Sequence, residues 1–69
     1  MFGRVSIICK NRRKELRLTQ RDLSARVGIH HETYAKFEAG GDIKLSNLAE
    51  IIKALNLTML IIPPEHLQP

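Results

Sequence analysis

A single glycine, Gly28, separates two short stretches that each show helical periodicity, and Gly40-Gly41-Asp42 closes the second of them. Glycine takes positive φ at no steric cost, so both stops are tight. Between Thr19 and Gly41 the chain has room for two helices of roughly two to three turns each and for no other regular structure. Helices this short are not stable in isolation. They must bury Leu23 and Val27 on one, Tyr34 and Phe37 on the other, against something close by. In a chain of 69 residues that something is the rest of one small domain. Thirty residues are apolar, seventeen of them Ile or Leu, which suffices for a modest core but not for one surrounding a deep substrate cavity.

The flanking sequence divides in the same way. From about Val5 to Leu16, the residues Val5, Cys9, Arg12 and Leu16 recur on one helix face with Ile8 beside it. Arg12 interrupts that face and must snorkel or find an anion. Thr19 is a good N-cap for the second segment, with Asp22 in a near-capping-box, and Gly28 ends it. The third segment runs from about His30 to Ala39. Ser46 caps the fourth, in which Leu48, Ile51, Ile52 and Leu55 share a face, and Asn56 suits a left-handed C-cap. Leu57 to Ile62 is apolar, rich in β-branched residues and closed by Pro63-Pro64, so it reads as one strand. The expected fold class is mainly α: a four-helix domain over 1–56, one C-terminal β-strand over 57–62, and a loose tail over 63–69.

A lone strand leaves its backbone groups unpaired. No other segment supplies a partner, so the simplest solution is the same strand from a second molecule across a two-fold axis. Leu57, Thr58, Met59, Leu60, Ile61 and Ile62 are therefore the candidate dimerisation residues of a homodimer.

Charge is unevenly spread. Residues 1–26 carry eight cations and two anions, a net +6, whereas residues 27–69 carry three cations and five anions, a net −2. A basic region of this kind draws polyanions, or else is a solvated face. Arg12, Lys14, Arg17 and Arg21 are each candidates to neutralise a phosphate. The glycine-joined helices at Gln20–Ala39 have the form of a helix-turn-helix, whose second helix can lie in the major groove of DNA. On that helix Lys36, opposite Tyr34 and Phe37, can donate to guanine or to phosphate, and Glu32 can accept from cytosine or simply favour the helix N-terminus.

The stretches Leu18-Thr19-Gln20-Arg21-Asp22-Leu23-Ser24, Val27-Gly28-Ile29 and Thr33-Tyr34-Ala35-Lys36-Phe37-Glu38-Ala39-Gly40 resemble the Cro/XRE-type, lambda-repressor-like DNA-binding domain. The resemblance covers about residues 5–57. The ending Leu55-Asn56-Leu57-Thr58-Met59-Leu60 is similar to HipB-type antitoxins, in which a C-terminal strand replaces the fifth helix and helps build the dimer. The resemblance implies that Gln20, flanked by Thr19 and Arg21, contacts a phosphate and braces the recognition helix. It implies that His30, His31, Glu32 and Lys36 face the bases, and that Lys44, Ser46 and Asn47 grip a second phosphate. It further implies an internal ion pair between Arg13 and Glu38. The chain departs from the family pattern at His30, where Ser or Thr usually caps, at Ser24 in place of Ala, at Arg17 in place of a C-cap Gly, and at Glu32, which turns an anion toward DNA.

Other chemistry is not indicated. One cysteine, Cys9, excludes an intrachain disulfide framework and a multi-cysteine zinc site. His30 and His31, being adjacent, would point ~100° apart on a helix rather than chelate together, and His66 stands alone. With no carboxylate pair and no phosphate-binding glycine loop, no enzymatic activity, metal or cofactor is expected. No apolar run reaches the roughly 20 residues of a membrane span, and the N-terminus lacks a signal-peptide core, so a cytoplasmic, nucleoid-associated location in a bacterium is expected. The expected function is a repressor binding double-stranded DNA at an inverted-repeat operator, as the autoregulating antitoxin of a HipA-like kinase toxin. The alternatives are a stand-alone XRE-type regulator without a toxin, or a protein-interaction module that no longer binds DNA.

Overall fold

The computed structural model of the chain describes residues 3–63. It contains four helices, α1 (Gly3–Glu15), α2 (Gln20–Val27), α3 (His31–Glu38) and α4 (Leu45–Ala54). Helix α2 packs on both α3 and α4, and α1 packs on α3. The helix starts differ in how they are held. At α2 the Thr19 Oγ1 accepts from the Asp22 backbone N–H at 3.0 Å while Asp22 Oδ2 accepts from the Thr19 N–H at 2.9 Å, a complete capping box. That backbone donor is the main reason the Asp22 carboxyl lies below its ordinary range. At α4 the cap position is Lys44, with no side-chain hydrogen bond, and Ser46 lies inside the first turn. The Ser46 cap expected from sequence is therefore displaced by two residues. The helix starts earlier because Lys44 already has the extended cap conformation, with φ −63° and ψ 141°.

All four helices end alike. Arg17, Gly28, Gly40 and Asn56 have φ of 59°, 72°, 99° and 55°, and each is followed by a residue whose N–H reaches back five positions. These back-bonds satisfy carbonyls that would otherwise be orphaned. At the end of α3 the Gly41 N–H donates to the Lys36 carbonyl at 2.8 Å. A Cβ on Gly41 would stand 2.9 Å from that same oxygen, so a side chain there must displace the last turn of α3.

Arg17 is the unfavourable member of the set, since a long side chain in the left-handed region costs roughly 1–2 kcal/mol. Arg17→Gly should therefore stabilise the domain by up to about 1 kcal/mol, raising the melting temperature by about 4–8 °C. A thermal melt in which Arg17→Gly is no more stable than the parent would contradict this.

The core consists of Cys9, Leu23, Tyr34, Phe37, Leu48, Ile51 and Leu55, all essentially inaccessible, with Val5, Leu18, Val27, Ile29, Ile43, Ile52, Ala54 and Leu57 packed around it. Each helix contributes, so none is separable from the rest. On α1 the inward positions are Ser6, Cys9 and Arg13. Leu16, placed by periodicity on that inward face, is exposed because the helix ends one residue before it. Ser6 is tolerated inside because its hydroxyl donates to the Gly3 carbonyl at 2.8 Å.

The strand expected over Leu57–Ile62 is not formed. After the Leu57 N–H, which bonds to Ile52, no described backbone group of this segment joins a ladder. A strand exists only against a partner, and among the described residues a single chain offers none. Leu57 still packs on the core, whereas Leu60 and Ile61 are 79% and 89% exposed. Of the tail expected over 63–69, only Pro63 lies within the described residues.

Candidate nucleic-acid interface

Helix α3 has two chemically distinct sides. Tyr34 and Phe37 are buried, their rings 5.9 Å apart in a tilted arrangement, and they fix the helix to the core. The opposite side carries Glu32, Thr33 and Lys36, all exposed. Gly28 makes this geometry possible: its left-handed conformation reverses the chain within one residue, so α3 packs against α2 while its polar side stays free.

The helix is held by one buried carboxylate. Glu38 accepts two parallel hydrogen bonds from Arg13, Nε to Oε2 and Nη2 to Oε1, both at 2.8 Å. It also accepts from Gln20 Nε2 at 3.1 Å. Arg13 Nη1 further donates to the Leu18 carbonyl at 2.7 Å. One side-chain cluster thus joins α1, the first turn of α2 and the last residue of α3. Burial pushes the Glu38 carboxyl upward, but the Arg13 and Gln20 hydrogen bonds outweigh it and hold the group at about 2, so it stays ionised. The Tyr34 hydroxyl is buried with no hydrogen-bond partner among the described residues, and burial, with Glu38 nearby, keeps it protonated.

Gln20 therefore braces α3 directly. Its neighbours Thr19 and Arg21 are exposed, Thr19 being the α2 cap. Lys44 and Asn47 share an open depression with Thr33, Asp42 and Ile43, so the start of α4 is continuous with the exposed side of α3. Ser46 is exposed in the first turn of α4. Thr33 escaped the reading of the sequence. The signal for it was available, since it lies three residues before Lys36 on the side away from Phe37.

His30 and His31 lie together at the start of α3, with ring centroids 5.7 Å apart and an interplanar angle of 18°. The expected ~100° divergence does not hold, because His30 is the extended cap residue and not part of the helix. No cluster of three or more metal-ligating side chains occurs among the described residues.

Two cations are withdrawn from any interface. Arg13 is buried in its pair. Arg12 donates from Nε to the Leu55 carbonyl at 3.0 Å and pairs with Glu15 at 3.4 Å. It thus supplies positive charge at the negative end of α4, and the phosphate contact considered for it is not favoured by this geometry. Cys9 is sealed in the core, where burial first and Glu38 second raise its thiol to about 11, leaving almost no thiolate for reaction or metal binding.

The arrangement is a short braced helix, a tight glycine turn, and a second helix with one buried side and one free polar side. A family profile described as helix-turn-helix matches residues 10–62. The chain belongs to this family, the Cro/XRE type of helix-turn-helix domain, and is thereby a DNA-binding protein of the transcription-regulating class. The family's domain is non-enzymatic. No curated protein and no solved structure gives a significant match to the chain. No helix among the described residues is long and apolar enough to cross a membrane.

Proposed function

We propose that the protein is a homodimeric, sequence-specific repressor acting on an inverted-repeat operator in the cytoplasm, and that it is the antitoxin of a toxin–antitoxin module that represses its own operon. The observation that carries DNA recognition is the free polar side of α3, whose other side is locked into the core. In this reading His30, His31, Glu32, Thr33 and Lys36 face base edges. Thr19, Gln20 and Arg21 on one flank, and Lys44, Ser46 and Asn47 on the other, meet phosphates. Residues 1–56 form the DNA-binding unit, 57–62 the dimerisation segment and 63–69 a tail.

Dimerisation is supported by the state of the segment after Asn56. Beyond the Leu57 N–H, its described backbone groups make no backbone hydrogen bond, and Met59, Leu60, Ile61 and Ile62 are exposed. Ile8 of α1, beside it, is more than half exposed. A groove of about 200 Å³ lies between α1 and this segment, lined by Val5, Ile8, Cys9, Ile52 and residues 57–60. Pairing of two such segments antiparallel would satisfy the backbone and cover the apolar side chains. The two-fold would set two recognition helices roughly 34–36 Å apart, one turn of B-DNA. The toxin partner, a HipA-like kinase, rests on the resemblance of Leu55–Leu60 to HipB-type proteins.

The test is truncation after Asn56, followed by sedimentation and by titration of DNA from upstream of the protein's own reading frame. The full chain should sediment as a dimer and bind that DNA tightly. The truncated chain should be monomeric, or a badly weakened dimer, and should lose tight binding. A truncated chain that remains a tight dimer removes residues 57–62 from the interface.

A further inference from the structure

Glu32 and Lys36 are four residues apart on α3, which places them on one side of the helix about 6 Å apart along its axis. Glu followed by Lys at this spacing ordinarily pairs on a helix surface. Here they do not: the ion pairs among the described residues are Arg12–Glu15 and Arg13–Glu38. Nor is Glu32 engaged at the start of α3, where the cap residue His30 receives no side-chain bond. The free polar side of the recognition helix therefore presents a pure acceptor and a pure donor, one turn apart, both exposed and both unpaired.

We infer that Glu32 accepts from the N4 amino group of a cytosine and Lys36 donates to the O6 and N7 of a guanine, about two base-pair steps apart in each half-site. The inference rests on the DNA-binding reading given above. The spacing follows from the 6 Å separation and a rise of about 3.4 Å per base pair. The bases follow from the groove's chemistry: an ionised carboxylate can only accept, an ammonium can only donate, and cytosine N4 and guanine O6/N7 are their respective partners in the major groove.

Glu32 also acts as a selectivity device. A carboxylate carried into the groove among phosphates loses water and is repelled wherever no amino group meets it. It therefore weakens binding to DNA in general and spares only sites with the cytosine in register. Discrimination arises here from penalising wrong sequences as much as from favouring the right one.

The experiment is selection from a randomised duplex library by the full chain and by Glu32→Gln, with the affinity of each for random DNA measured alongside. Glu32 is exposed, so the variant should melt with the parent. The parent should select a half-site holding a cytosine and a guanine about two steps apart. Glutamine pairs with adenine, so Glu32→Gln should exchange that cytosine for adenine, with discrimination of roughly 5- to 150-fold, and leave the guanine in place. The variant should also bind random DNA more tightly than the parent. Selection of the same half-site with the same discrimination by both proteins, or weaker binding of the variant to random DNA, would overturn the assignment while leaving DNA binding intact. Failure of the parent to bind or enrich any duplex would overturn DNA recognition itself, and this assignment with it.

Discussion

Glu38→Ala should lose about 3–5 kcal/mol of folding stability, because it strands the Arg13 guanidinium in a place from which water is largely excluded. Arg13 and Glu38 are each only 8% exposed, and the carboxylate serves three hydrogen bonds from two other elements. A domain of this size holds roughly 3–10 kcal/mol in total. The variant should therefore be largely unfolded near body temperature and should bind DNA poorly for that reason. Urea or thermal denaturation reads the effect, and an unchanged melting temperature would refute it. The same carboxylate predicts the response to acid. Its folded value of about 2 lies below the ordinary 4.5. The stabilisation is complete above about pH 4.5 and is lost as pH falls toward 2, a change on the order of 3 kcal/mol. The acid limb of the stability curve should accordingly be shallow in Glu38→Gln, which has no such proton to take up.

Affinity for DNA should fall about a thousandfold between 50 and 200 mM salt. Of the +6 on residues 1–26, Arg12 and Arg13 are committed inside the fold, so that figure overstates what a polyanion meets. Exposed cations remain on each candidate element, Arg21 on α2, Lys36 on α3 and Lys44 at the start of α4. If each displaces about one condensed counterion in both subunits of the proposed dimer, Lys36 from within the groove and the other two at phosphates, about six counterions are released and the log–log slope is near −5. Titrations at four or five salt concentrations measure it directly. A slope near zero would exclude docking of this face on the phosphate backbone, and a much steeper slope would bring in Lys10, Lys14 or Arg17 of the α1 region.

The helices were legible because each carries its own punctuation. Thr19 with Asp22, Gly28 and Gly40-Gly41 act within a turn of where they stand, and the structure puts α2 and α3 between them. The start of α4 was less legible. Ser46 is a better cap by chemistry than Lys44, but the backbone after Ile43 already has the required conformation and overrides the side-chain preference. On α1 the period alone placed Leu16 inside and could not register that the chain turns at Arg17. The bonds of Glu38 to Arg13 and Gln20 span 25 and 18 residues, beyond the reach of any local pattern; the Arg13 pair entered the sequence reading only through family resemblance, and the Gln20 bond did not enter it. The segment 57–62 shows the opposite limit. Its composition favours extended structure, but a ladder is a property of two segments, and composition describes only one.

The four left-handed helix ends have a thermodynamic consequence for recognition. Each is closed by a back-bond across five residues: that of α2 fixes the chain just before α3, and that of α3 fixes its own C-terminal end. A segment that became helical only on DNA would lose about 1–2 kcal/mol of backbone entropy for each residue ordered. The eight residues of α3 have already lost that freedom in folding. Association is then not slowed by a folding step, and the heat-capacity change on binding reports the area withdrawn from water rather than helix formation.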